Sequence, residues 1–152
     1  MPSLTFDVAT KKQLDELSTE LPQSILLTGE SGVGLFSAAS YIAGSQLAGI
    51  VQPTDKDGKI SANGIIRLDE IQQLRCDTRG RTTKRTVFII DDADRMNHRA
   101  QNAFLKLLEE PSPRVHFILT SHHPQQWLPT KNPRGARFLS GPFRQPKTHR
   151  LA

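Results

Sequence analysis

Val87, Phe88, Ile89 and Ile90 form a short apolar run that leads directly into Asp91 and Asp92, with Asp94 close behind. A continuous apolar run of this kind suits a strand buried on both faces of a parallel sheet. Carboxylates at its end stand at the carboxyl edge of the sheet, where open α/β sheets bind ligands. A second stretch with chemical content is GESGVGLF, Gly29 to Phe36. Gly29 and Gly34 keep the G-x-x-x-x-G spacing of a phosphate-binding loop, with Gly32 between them. Such a loop continues with Lys, which contacts the β- and γ-phosphates, and then with Ser or Thr, whose hydroxyl holds magnesium. Leu35 and Phe36 occupy those two positions and can do neither. Both are apolar and are expected to turn into the core. The backbone amides of Glu30 to Gly34 can still cradle an anion at the start of a helix.

Two further patterns fail on their own residues. The stretch around Ser31 would be a nucleophile elbow only with glycine at position 33, which is Val33. Asp55, Asp57, Gly58 and Ile60 echo a calcium loop, but its first and twelfth ligand positions hold Pro53 and Gly64. Asp55 to Gly64 is therefore expected to form a hairpin or surface turn.

The elements that must position these residues follow from periodicity. Thr10 to Glu20 predicts a helix, with Thr10 and Gln13 as a capping box and Leu14, Leu17 and Leu21 as its apolar stripe. Ser24 to Thr28 predicts a buried strand before the glycine loop, and Leu35 to Ala48 a helix ending near Gly49. Ile66 to Leu74 predicts a short strand leading to a short helix, and Asp77 to Arg85 a basic loop. After the aspartates, Ala100, Phe104, Leu107 and Leu108 fall at helical spacing behind Asn97, a suitable N-cap, and Pro111 ends that helix. Val115 to Leu119 is another buried strand, and it runs into Thr120, Ser121, His122 and His123. Strand, helix and strand then form a crossover unit of right-handed sense.

IIDDADRMN, then NAFLKLLEEP, then FILTSHHP resembles the AAA+ clamp-loader subunits of bacterial DNA polymerase III, delta-prime above all. LPQSILLTGESGVG resembles the entry to the same family's P-loop, IRLDEIQQL the segment before its second motif strand, and LPT at Leu128 to Thr130 still matches. The resemblance implies a three-layer α/β, P-loop NTPase-like AAA+ domain with a parallel sheet over residues 1–130. It implies that Asp91 and Asp92 stand at the Walker B positions, with Asp91 the magnesium ligand wherever a magnesium nucleotide binds. Gly29, Gly32, Gly34, Ser121 and His122 would then line a vestigial nucleotide site, the last two in the region that senses the γ-phosphate. Arg134 falls at the arginine-finger position, although Pro133 and Gly135 depart from the family's Ser-Arg-Cys motif. The function implied is that of a non-motor, delta-prime-like subunit that helps load the sliding clamp onto primed DNA together with other clamp-loader subunits. No intrinsic ATPase and no cofactor beyond weakly held Mg-ATP are expected. Two other functions stay open, an active gamma/tau-like ATPase and a nucleic-acid-binding AAA+-like protein acting through its tail.

Totals narrow the class. The chain has 152 residues, 36% hydrophobic and 23% charged, which suits one domain with a real core. Its mean hydropathy is −0.43, and no apolar run approaches the ~20 residues of a membrane span. The first residues lack the pattern of a signal peptide, and the single Cys76 excludes an internal disulfide or a four-cysteine zinc module. A cytoplasmic location without membrane contact is the expectation. The net charge of +5 is concentrated: Lys131 to Ala152 holds six basic residues and no acid, leaving 14 basic against 15 acidic residues elsewhere. The pI of 9.7 is therefore weak evidence for a nucleic-acid-binding core. Residues 131–152, with Pro133, Pro142 and Pro146, are expected to be a mostly disordered or truncated basic tail in which Phe138, Leu139 and Phe143 alone could dock. The family's helical lid and collar are not found before residue 152, so assembly with the other clamp-loader subunits is expected to be weak.

Overall fold

Alternate residues of the central strands point to opposite sides, and both sides are apolar. This sets the layers. The computed structural model describes residues 8–29, 34–79, 84–109, 112–126 and 136–140, the side chains of Gln125 and of 136–140 excepted. In chain order the elements are α1 (Val8–Thr19), β1 (Ser24–Thr28), α2 (Leu35–Ala43), β2 (Leu47–Val51), α3 (Leu68–Thr78), β3 (Thr86–Ile90), α4 (His98–Glu109), β4 (Val115–Ser121) and β5 (Ala136–Ser140). The strands form one all-parallel sheet in the order β2-β3-β4-β1-β5. Ile25, Leu27, Val87, Ile89 and Ile118 face α1 and α2. Leu26, Phe88, Ile90, Val115, Phe117 and Leu119 face α3 and α4. Parallel sheets need cover on both faces, and the two helical layers supply it.

Each layer has its own closing contacts. On one side Leu14, Ala38, Ala39 and Ile42 are buried between α1 and α2. On the other, Phe104 of α4 meets Phe117 edge-on with ring centroids 5.6 Å apart, and Phe117 lies 6.2 Å from Phe88. Asn97 caps α4 as its sequence position suggests, its Oδ1 accepting the Ala100 N–H at 2.9 Å.

Several expectations need correction. Helix α1 starts at Val8, which places Thr10 inside the helix and buried at 8% exposure. The capping box is therefore not formed at Thr10. The helix after the glycine loop ends at Ala43 rather than at Ala48, because Gly44 adopts φ 54°, ψ −135°. That left-handed backbone suits glycine and breaks the helix. Leu47 to Val51 then becomes the strand β2, whose first two residues, Leu47 and Ala48, were expected to close that helix. Ile66 makes only an isolated parallel bridge to Met96, and α3 runs on through Asp77 and Thr78 into the expected basic loop. Residues 136–140 fall in the expected disordered tail, yet their backbone pairs with β1 from Ser24↔Ala136 to Thr28↔Ser140. The sheet thus extends beyond the boundary drawn at residue 130. The rest of that tail lies outside the described residues, as do 80–83 of the basic loop.

The segment between β2 and α3 is a tight excursion, as expected. Thr54 bridges Ile60 and Ile65 in antiparallel sense. Asp55 Oδ1 accepts the backbone N–H groups of Asp57 and Lys59 at 2.9 and 3.0 Å, so this carboxylate closes a turn. The base is clasped by Arg67, whose Nη1 donates to the Thr54 carbonyl and hydroxyl oxygens, and by the Thr54 hydroxyl donating to Glu70. Among the described residues no helix is long and apolar enough to cross a membrane.

Gly64 seals the clasp. A Cβ there would collide with the Thr54 carbonyl oxygen, a backbone atom that cannot swing aside. Gly64→Ala is expected to destabilise the fold by about 1–3 kcal/mol. Urea denaturation should show the loss as a lowered midpoint at unchanged slope. An unchanged midpoint would disprove the close approach.

Candidate functional site

Register brings the chemical residues together. Thr28 of β1 lies opposite Ser121 of β4, and Ile90 of β3 opposite Leu119. The residues that follow, Gly29, Asp91 and Thr120 to His122, therefore share one carboxyl edge. Every polar group leaving a buried strand here needs a partner.

The aspartates provide most of them. The Asp91 N–H donates to the Val51 carbonyl at 2.8 Å, tying β3 to β2. Asp92 has φ 57° and ψ 60°, the left-handed region that Asp tolerates better than most residues. Its N–H donates to Thr120 Oγ1 at 2.8 Å, and the Thr120 hydroxyl donates to Asp91 Oδ1 at 2.8 Å. Asp94 gathers the end of β4: Oδ1 accepts the Ser121 hydroxyl at 2.5 Å, and Oδ2 accepts the N–H groups of His122 and His123 at 2.7 and 3.1 Å. Ser121 is fully buried.

His122 fastens the glycine loop. Its Nδ1 lies 2.7 Å from the Gly29 carbonyl oxygen, which can only accept, so Nδ1 carries the hydrogen. In the neutral ring Nε2 is then an acceptor, and only the cationic ring can donate from Nε2 to a phosphate. Gly34 closes the loop at φ 81°, and its carbonyl accepts the Ala38 N–H at 2.9 Å. Leu35 lies in the α1–α2 core at 6% exposure, as expected. Phe36, also expected inside, is 37% exposed, because one step along the helix turns it away from the sheet. Gly32 and Arg134 lie outside the described residues.

Charge follows the same geometry. Burial pushes the Asp92 carboxyl above its ordinary 3.8; the charges of Asp94 and Asp91 add to the rise, and His122 and Arg95 oppose it. Among the described residues no donor reaches the Asp92 carboxylate. No cluster of three or more His, Cys, Asp or Glu is arranged to hold a metal ion among them either. A magnesium ion at this edge would rest on Asp91, already bonded by Thr120, and on ligands from the nucleotide itself. Sequence reasoning missed the joining roles of Thr120 and Asp94. Their signal was weak: a hydroxyl at a strand end and an acid two positions beyond an acidic pair.

A family model described as DNA polymerase III, delta subunit, matches residues 50–138. The DNA polymerase III subunit delta′ of Pseudomonas aeruginosa is 48% identical over 46 residues, which cover 30% of this chain and 14% of that protein. Among solved structures, a DNA polymerase III gamma subunit-related protein of Thermotoga maritima superposes with TM-score 0.62 at 23% identity, over 85% of this chain and 45% of that one. The Holliday junction branch migration motor RuvB of the same organism gives 0.58 at 16% identity, over 89% and 45%. The chain thus spans less than half the length of these relatives. At such identities the structural likenesses show the fold, a three-layer α/β domain of AAA+ type.

Two expectations follow from the bonding. Asp94→Ala leaves the buried Ser121 hydroxyl and the His122 N–H without their acceptor and is expected to cost about 2–4 kcal/mol of stability. Chemical denaturation will read this, and a loss under 0.5 kcal/mol would mean that Asp94 does not hold β4. Asp92 holds its proton longer when folded, so the folded state binds more protons than the unfolded one above pH 3.8. Its contribution to stability therefore falls as pH rises through that window. Asp92→Asn keeps a left-handed-tolerant residue without the charge. It should raise Tm at pH 7 and change it little at pH 3, and equal shifts at both would contradict the assignment.

Proposed function

The chain belongs to the DNA polymerase III delta-subunit family, and from that membership we propose that it is a non-motor, delta-prime-like clamp-loader subunit. It acts in the cytoplasm during DNA replication. It helps place the sliding clamp on primed DNA within an assembly whose ATP is hydrolysed by other subunits. The likeness to the delta′ protein of Pseudomonas aeruginosa supports the choice within the family.

One observation carries the non-motor reading. At the two positions where a phosphate-binding loop needs a cation and a hydroxyl, Leu35 is embedded in the core and Phe36 carries no polar atom on its side chain. The rest of the edge supports it. Asp91, Asp94, Thr120 and Ser121 bond one another across β3 and β4, and His122 bonds Gly29. These groups brace the strand ends and hold the loop that leads to α2. A nucleotide would have to compete for them.

The glycine spacing still suits an anion, but one bound there would lack neutralisation of the γ-phosphate. Losing one charge-assisted contact costs on the order of 1.5–3 kcal/mol, or roughly tenfold to a hundredfold in affinity. Titration calorimetry with Mg-ATP is expected to show no binding in the micromolar range. In a reconstituted loader, omission of this protein should abolish clamp loading onto primed DNA. A low-micromolar dissociation constant, or ATP turnover by the isolated chain, would restore the gamma/tau-like motor. Salt-dependent DNA binding by the isolated chain, lost on removing residues 131–152, would favour the nucleic-acid-binding reading instead.

A further inference from the structure

Strand β2 is one edge of the sheet, and it is thinly covered. Ala48 and Ile50 are exposed, Ile50 at 42%, whereas the neighbouring β3 is buried along four of its five residues. The Val51 carbonyl turns inward to the Asp91 N–H. Alternation along the strand therefore turns the N–H and C=O of Ile50 outward. Among the described residues nothing pairs with that outer side. LAGIV contains no charge and no proline, the usual guards of an open edge; one register shift between Leu47 and Gly49 is its only irregularity.

Beside this edge runs a groove of about 450 Å³ between β2 and α3. Phe88 forms part of its floor, left open because residue 49 has no side chain; a Cβ there would stand 3.2 Å from the ring. Ile60, 71% exposed, flanks it from the excursion. The α3 wall carries Asp69, Glu70 and Asp77, and among the described residues no Lys or Arg lines the groove. Arg67, 4.0 Å from Glu70, balances that residue in part. Asp69 and Asp77 are eight helical residues apart, about 12 Å along the axis. Residues i and i+4 of an extended chain lie about 13 Å apart on one face.

We propose that this edge is a docking site for an extended segment of a partner protein, which adds to β2 as a further strand. Its recognition features are two Lys or Arg residues four positions apart, facing Asp69 and Asp77, with an apolar residue between them over Phe88. Main-chain pairing supplies binding, and the acidic wall supplies selectivity.

The test uses the full 152-residue chain and a fluorescein-labelled peptide TKTVTKT, with TETVTET as its charge-reversed control. Fluorescence anisotropy should saturate with the first peptide and give at least tenfold weaker binding with the second. Ile50→Pro deletes an outward N–H and leaves the β2–β3 ladder its donors, so it should weaken the lysine peptide at least tenfold. The double substitution Asp69→Lys, Asp77→Lys, on exposed helix positions, should do the same with unchanged circular dichroism. The proposal fails if the lysine peptide does not saturate, if both peptides bind alike, or if neither variant weakens binding. It also fails if sedimentation shows a dimer that Ile50→Pro abolishes, since the edge would then serve a second copy of this chain.

Discussion

A parallel strand buried on both faces delivers its last polar groups into a place where few partners are at hand. In this protein the partners come from the neighbouring strand. The hydroxyl of Thr120 on β4 stands between the Asp92 N–H and the Asp91 carboxylate, and Asp94 collects the Ser121 hydroxyl and two backbone N–H groups. The bonds cross between β3 and β4, so the alignment of the two strand ends and the placement of the carboxylates are one arrangement. Of these donors the Ser121 hydroxyl is fully buried, and a buried donor deprived of its acceptor carries a desolvation cost of about 1–3 kcal/mol. The same groups would have to serve any nucleotide chemistry at this edge. Bracing and any nucleotide chemistry would compete for one set of oxygens.

The glycine loop joins this brace from the other side. His122 holds the carbonyl of Gly29, and Gly34 starts α2, so the loop's two ends are set by β4 and by the helix. What lies beyond Gly34 is settled by packing. Leu35 belongs to the apolar layer with Leu14, Leu17, Ala38 and Ile42. Burying a leucine is worth about 1.5–3 kcal/mol, whereas a charge placed among those residues would be heavily disfavoured. In the proposed non-motor subunit the first turn of α2 thus contributes stability where a motor would place its phosphate contact.

The two edges of the sheet differ in kind. At one edge, β5 continues the ladder of β1 from a part of the chain whose sequence is rich in breakers. At the other, β2 is a strand of small and apolar residues beside an acidic helix, with its outer backbone unpaired among the described residues. Open edges of that composition invite pairing, and the acidic wall biases what can pair.

Local patterning was enough to read the centre of this protein. Runs such as SILLT, VFII and VHFIL are too apolar and too short for anything but buried strands, and the Asn97-to-Leu108 pattern dictates a capped amphipathic helix. The positions of Asp91, Asp92, Ser121 and His122 at one carboxyl edge followed from that, because parallel strands end on the same side. Tertiary structure decided the rest. LAGIV is ambiguous by composition after an alanine-rich helix, and only the left-handed turn at Gly44 together with pairing to β3 made it a strand. ARFLS sits among prolines and glycines, and pairing with the ladder of β1 overrode that local preference. Phe36 was expected inside from its apolarity, but the phase of α2 is anchored by Leu35, Ala38, Ala39 and Ile42, which leaves position 36 outside. Asp94 read as one acid among several. The Ser121, His122 and His123 donors it gathers lie 27 to 29 positions away, and a bond of that span has no periodicity by which sequence could announce it.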